Sequence, residues 1–152
     1  MILIRHAQAA YAERWLRMRH ELWPDQTLEE LRRDVEAFFD GRATHLWAVL
    51  FAIDKEAGQL LGFAELNIRP YAEGCETSRI AFLEGWYVTE GQRHRGIGAA
   101  LVKAGERWAV SVGCTEFASD ARADNALGRT AHLKVGFEEV EVIRCFKKTL
   151  TP

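Results

Sequence analysis

The chain has 152 residues, 48% hydrophobic and 28% charged, with a formal net charge of −2 and a pI of about 6.2. That is enough apolar material for one buried core and too much for a disordered chain, and the length fits a single domain spanning 1–152. The slightly acidic balance argues against a general nucleic-acid binder, and no apolar run is long enough to span a bilayer. Met1 to Arg5 is too short and too charged to read as a signal peptide, so a cytoplasmic protein is expected. Cys75, Cys114 and Cys145 are odd in number and make no C-x-x-C pair, which suits reduced thiols. The five histidines show no ligand spacing, and no metal is expected.

In chain order, Ile2–Ile4 reads as a first strand. Ala7 to Leu22 has helical spacing, with Tyr11, Trp15, Met18 and Leu22 on one face, and Trp23-Pro24 ends it. Thr27 and Glu30 have capping-box spacing, which predicts a second helix from Leu28 that stops at Gly41. His45 to Ile53 and Leu60 to Ile68 are two apolar runs about a turn, hence a hairpin. Arg69 to Ser78 reads as a loop and Ile80 to Val88 as another strand. Gly96 to Val112 is helical, Thr115 to Ala118 a short strand, Asp124 to Val135 a helix, and Phe137 to Lys147 a last strand. This order predicts a mixed sheet with helices on its faces, partly parallel in its second half, in the α/β or α+β class.

The most informative stretch is Trp86 to Leu101, where a strand runs through Gly91, Gly96 and Gly98 into a helix. A helix N-terminus exposes unpaired N–H groups and partial positive charge, and glycine lets the backbone approach a ligand closely. Together they suit a pyrophosphate, with Arg93 and Arg95 as cationic neighbours. The third glycine of the dinucleotide fingerprint is missing, as is the Gly-Lys-Ser/Thr of a P-loop. On the glycines alone, a basic turn that merely turns is an equal reading.

Arg93-His94-Arg95-Gly96-Ile97-Gly98 resembles the R/Q-x-x-G-x-G/A loop of the GNAT acetyltransferases. Asn125 and Leu133-Lys134-Val135-Gly136-Phe137 resemble that family's closing helix and strand. The resemblance covers nearly the whole chain. It implies the GNAT fold, a mixed, mostly antiparallel sheet with a central splayed parallel strand pair and helices on both faces. It also implies acetyl-CoA in the splay. Tyr87 and Val88 would pair with the pantetheine arm, Arg93 and the N–H groups of Arg95, Gly96, Ile97, Gly98 and Ala99 would hold the pyrophosphate, and Asn125 would bond the arm. A backbone N–H near Val88 would polarise the thioester carbonyl.

A narrower resemblance is to the aminoglycoside 6′-N-acetyltransferases. It rests on Leu22-Trp23-Pro24, Gly62-Phe63-Ala64-Glu65 with Ile68-Arg69, Gly74-Cys75, Phe82-Leu83-Glu84-Gly85, Gly113-Cys114, Ala118-Ser119-Asp120 and Gly136-Phe137-Glu138-Glu139. The implied substrate is a rigid polycationic amine, whose site should be an open cleft of carboxylates and indoles. Trp23, Glu65, Tyr71, Glu84, Asp120 and Glu138 are the candidate substrate residues, with Tyr71 reaching a partner's cleft in a homodimer. Trp23 and Trp86 also read as packing residues, and Glu138 and Glu139 as a solvated edge. Glu84 stands out because it interrupts an apolar strand beside Gly85.

The mechanism expected is direct transfer, with Glu84 as the base through an ordered water and Asp120 orienting the ammonium groups. Many GNAT enzymes carry a tyrosine acid four residues before the final Gly-Phe, where this chain has His132. His132 is thus the candidate acid, with Tyr87 and Tyr71 as fallbacks and a packed helix residue as the plain alternative. Competing readings are a GNAT enzyme for another small amine or a protein N-terminus, a non-catalytic acyl-CoA sensor, and a nucleic-acid module using Arg93-His94-Arg95. The last is disfavoured by the small patch and the acidic chain.

Overall fold

The structure, a computed structural model, describes all 152 residues. Two compact units divide the chain, Met1–Asp120 and Ala121–Pro152.

The first unit is a five-stranded sheet in sequential order, β1 (Ile2–His6), β2 (Ala48–Asp54), β3 (Gln59–Arg69), β4 (Ile80–Val88) and β5 (Phe117–Ser119). Neighbours are antiparallel except β4 and β5, which run parallel. Between β1 and β2 lie a 3-10 turn (Ala9–Tyr11) and two helices, α1 (Ala12–Leu22) and α2 (Leu28–Phe39). The helix expected from Ala7 therefore begins five residues later. The predicted capping box forms: Thr27 Oγ1 accepts from Glu30 N at 3.1 Å, and Glu30 accepts in return from Thr27 N. Strand β2 starts at Ala48 rather than His45.

Between β4 and β5, helix α3 (Ile97–Ser111) packs on one sheet face. Leu101 meets β3 there at Gly62, and Gly105 approaches Leu66 and Phe117. On the opposite face α1 lays Trp15, Leu16 and Met18 against Val49, Phe51 and Phe63. Trp15 is the hub, edge-on to Phe38, Phe39, Phe51 and Phe63 at centroid distances of 5.7 to 6.4 Å.

Arg19 is also buried on α1, which the spacing of apolar residues did not indicate. Its Nε and Nη2 donate to the two oxygens of buried Glu65 at 2.8 and 3.2 Å. Its Nη1 donates to Leu31 O at 2.9 Å and Asp34 Oδ2 at 3.2 Å. Glu65 also accepts from Trp15 Nε1 at 3.0 Å. This network joins α1, α2 and β3 inside the core.

The second unit contains one helix, α4 (Ala126–Lys134), capped by Asn125, whose Oδ1 accepts from Gly128 N at 2.9 Å. The strand expected over Phe137–Lys147 does not form: residues 137–152 have no regular structure and are almost entirely exposed. A strand exists only when a neighbour accepts its main-chain hydrogen bonds, and an alternating composition cannot supply that neighbour.

Candidate active site

The parallel pairing of β4 with β5 is short. Ala81, Phe82 and Leu83 stand against Phe117, Ala118 and Ser119, and the pairing ends there. The edge of β4 from Glu84 to Val88 thus has no strand partner, while on its other side β3 continues to Gly62 opposite Val88. That edge faces no strand, and on it Val88 O accepts from Arg93 Nε at 2.9 Å. Glu84 and Asp120 are the first residues beyond the last pair, Leu83 and Ser119, so the two candidate carboxylates flank the point of parting.

Glu84 owes its direction to a bulge. Opposite β3, Glu65 pairs with Gly85 and the next residue, Leu66, pairs with Leu83, so Glu84 is an extra residue. A bulge of this kind breaks alternation and re-aims a side chain. Glu84 therefore turns toward Asn67 and Arg69, which share with Phe63 and Glu65 the β3 face that looks at α1. Its Oε2 accepts from Asn67 Nδ2 at 2.8 Å and Arg69 Nε at 3.0 Å, and its Oε1 accepts from Arg69 Nη2 at 2.5 Å. The Arg69 guanidinium lies 3.6 Å above the Phe82 ring.

A cavity of about 770 Å³ opens on this face. Trp23, Gln26, Asp34 and His45 line it from the helical side, and Glu65, Asn67, Arg69 and Glu84 from the sheet. The indole of Trp23 covers Gly85, where a Cβ would stand 2.7 Å from Trp23 Cη2. Arg19 stacks beneath the same indole at 5.1 Å. Trp23 thus packs and lines the cavity at once.

Glu65 departs from expectation. It is 1% exposed, both oxygens are taken by Arg19 and Trp15, and burial pushes its carboxyl upward against the pull of those donors. It offers no free carboxylate to a cation, because a charge buried this deeply must be matched internally. Tyr71, by contrast, is 68% exposed. Trp86 follows its packing reading: Nε1 donates to Gly98 O at 3.1 Å, holding the strand to the start of α3.

The turn into α3 has the features an anion needs. Gly96 is the N-cap with φ 78, in the left-handed region, with open space around its α-carbon, and no side chain caps the helix. The first-turn N–H groups of Ile97, Gly98 and Ala99 are left to another acceptor. His94 also has a positive φ, 65, an unusual conformation for a residue with a Cβ. The two arginines do not point into the turn as expected. Arg93 Nε donates back to Val88 O at 2.9 Å, its guanidinium 5.4 Å from the Tyr87 ring, and Arg95 bonds Gln92.

Tyr87 donates its hydroxyl to Glu21 on α1. Burial and the Glu21 carboxylate push the phenol up to about 12, with Arg93 and Arg14 pulling the other way. Arg14 Nη2 also donates to Thr89 Oγ1 at 3.3 Å, so α1 braces the end of β4 on both sides.

In the second unit, His132 Nδ1 donates to Gly128 O at 2.7 Å and its ring packs 5.4 Å from Phe137. With Nδ1–H so used, Nε2 is a proton donor only in the imidazolium. Asn125 Oδ1 is engaged as the cap, and Glu138 is exposed just after Phe137.

The residues that sequence reading missed are Asn67 and Arg69, which hold Glu84, and Arg19, which pairs with both Glu65 and Asp34 in the cavity lining. One signal was available: Glu65, Asn67 and Arg69 fall at alternate positions of an otherwise apolar strand, LLGFAELNIR.

The strand pair thus parts at two carboxylates near a helix start that no side chain caps. The profile of the acetyltransferase (GNAT) family matches residues 15–137, and the chain belongs to that family. Among its relatives, the aminoglycoside N(6′)-acetyltransferase type 1 of Klebsiella aerogenes is 49% identical over 148 residues, covering 97% of each chain. The enzyme of the same name from Stenotrophomonas maltophilia is 40% identical, covering 98% of this chain and 94% of its own. Among solved structures, the aminoglycoside N-acetyltransferase AAC(6′)-Iy in complex with CoA superposes with a TM-score of 0.89 at 34% identity, over 99% of this chain and 96% of the other. The same enzyme with the bisubstrate analogue CoA-S-monomethyl-acetylneamine gives 0.88 at 34% identity, over 99% of each chain.

Proposed function

We propose that this protein transfers the acetyl group of acetyl-CoA to the 6′-amine of aminoglycosides, with the whole chain acting as one acetyltransferase domain. The observation that carries the reading is the parting of β4 from β5 immediately before Glu84 and Asp120, next to an anion-ready helix start. The full-length similarity to aminoglycoside N(6′)-acetyltransferases supports the substrate.

Acetyl-CoA supplies the acyl thioester. The open edge of β4 through Tyr87 and Val88 would take its pantetheine arm, and the N–H groups from Arg95 to Ala99 its diphosphate. Gly96, with no Cβ in the way, fits that close approach. In this scheme Arg93 braces the end of β4 instead of meeting the anion. Asn125 contributes from its place as the α4 cap. Trp23 covers a sugar face or an ammonium, and Asp120 and Glu84 hold ammonium groups. Glu84 takes the proton of the attacking amine through a water, so that nitrogen attacks the thioester carbon as the bond to sulfur breaks. The departing thiolate takes a proton from a donor such as Tyr87 or Tyr71.

A homodimer and a cytoplasmic location belong to the same proposal. Val140, Val142, Ile143, Phe146 and Leu150 are all exposed on a segment of strand-forming composition, and Tyr71 is exposed as well. Burying such a row against a second copy would remove apolar surface from water. No helix is long and apolar enough to cross a membrane, and His, Cys, Asp and Glu side chains nowhere gather in threes as metal ligands would.

The decisive measurement is release of CoA thiol from acetyl-CoA in the presence of kanamycin or tobramycin, with mass mapping of the acetylated nitrogen. Acetylation elsewhere than the 6′-amine, or no turnover, overturns the reading. Glu84→Gln should depress turnover far more than acetyl-CoA binding, and an unchanged turnover number removes Glu84 as the base.

A further inference from the structure

The cavity beside Glu84 is lined by acidic side chains, yet each is already matched by an arginine of this chain. Arg19 serves both Glu65 and Asp34, and Arg69 serves Glu84 with a two-pronged contact. A polycationic amine entering here meets three carboxylates, Asp34, Glu65 and Glu84, set among three guanidinium groups, Arg19, Arg42 and Arg69. It gains an ion pair with Glu84 only if Arg69 gives one up.

The two arginines differ in their freedom to do so. The Arg19 side chain is 6% exposed and is tied to the main chain at Leu31 as well as to its two carboxylates. The Arg69 side chain is 38% exposed, at the last position of β3, where Asp120 and Glu73 also attract its charge. Releasing it moves a half-exposed guanidinium toward water and toward other carboxylates. Releasing Arg19 would strand a buried charge.

We propose that Arg69 is an exchangeable counter-ion, a specificity-determining residue that occupies the ammonium position at Glu84 until the substrate displaces it. Arg69 keeps the carboxylate aimed and neutral-paired between turnovers, and it discriminates in favour of amines with enough charge and rigidity to outcompete a tethered guanidinium. A small monoamine, free in solution, gains too little at Glu84 to replace an internal partner that is always present at high local concentration. The inference rests on the proposed role of Glu84 in amine binding.

Steady-state kinetics with tobramycin and acetyl-CoA test it. Arg69→Met keeps an apolar stem over Phe82 but removes the competing charge. It should lower the KM for tobramycin by about fivefold, the scale of a partly exposed ion pair, with the KM for acetyl-CoA unmoved. Arg69→Lys, which keeps the charge but not the two-pronged fork, should bring the KM back toward the wild-type value. In a Glu84→Gln background, where tobramycin affinity is read by calorimetric titration instead of turnover, the Arg69→Met effect should vanish. A tobramycin KM that is unchanged or raised in Arg69→Met, or an effect that persists without the Glu84 charge, overturns the proposal. If Glu84→Gln alone leaves turnover intact, the role of Glu84 falls. If it abolishes turnover while Arg69→Met leaves KM in place, only the counter-ion inference falls.

Discussion

The indole of Trp23 lies directly on Gly85, and the strand bulge that aims Glu84 at the cavity sits one residue away. Even one methyl group at position 85 would stand 2.7 Å from Trp23 Cη2 and 3.3 Å from Phe63 Cε2. Gly85→Ala should therefore push the indole outward and cost about 1–3 kcal/mol of stability. The displaced wall should lower kcat/KM for the amine by roughly ten- to a hundredfold, leaving acetyl-CoA affinity in place. Paired kinetics and calorimetric titration with acetyl-CoA check this, and an equal loss for both substrates would contradict it.

Glu65 and Arg19 carry fold stability. Glu65→Ala removes the buried carboxylate that matches Arg19 and accepts from Trp15, leaving the guanidinium in the core with only the half-exposed Asp34 as counter-ion. Breaking a buried pair from one side costs about 3–5 kcal/mol. Denaturant unfolding should show a loss of that size. A loss under about 1 kcal/mol would mean the pair is solvated as a surface pair is.

Gly96 tests the start of α3. Its φ of 78 suits glycine, and its surroundings are open, so a substitution is penalised through the backbone rather than by a clash. Gly96→Val costs about 1–2 kcal/mol in that conformation and should turn the first-turn N–H groups away. Acetyl-CoA affinity should fall by about tenfold. Gly41 has φ 73 and open space too, at the end of α2, so Gly41→Val is the control: a similar stability loss with unaltered acetyl-CoA binding.

Tyr87 should be identifiable by its ionisation. Its hydroxyl is held by Glu21, and it titrates at about 12 instead of near 10. Because the folded value lies above the unfolded one, first through burial of the phenol and then through Glu21, the neutral Tyr87 contributes stability that is present below about pH 10 and lost as pH rises toward 12. Phenolate absorbance should show a late-titrating tyrosine that Tyr87→Phe removes. Alkaline unfolding of the variant should be less steep across that window. Three ordinary titrations in the wild type would contradict the Tyr87–Glu21 contact.

Much of this site was legible in the residues. The capping box of α2, the β2–β3 hairpin, and the run of β4 through a glycine turn into α3 depend on neighbours in sequence, so local chemistry determined them. The prominence of Glu84 came from the same source, a charge inside an apolar strand. The readings that failed involve partners far along the chain. Whether 137–147 becomes a strand depends on a pairing edge, which composition cannot provide. Glu65 reads as an available carboxylate until Arg19, 46 residues away, is seen to close on it.

The sequence by itself determined the family and most of the elements before residue 137, because periodicity, caps and glycines act over a few residues. Only the tertiary structure decided which charges are free. The β4 bulge turns Glu84 to the α1 side, and alternate β3 positions deliver Asn67 and Arg69 to it. Charge pairing falls off over a few ångströms, so it is set by which strands lie side by side and in what register.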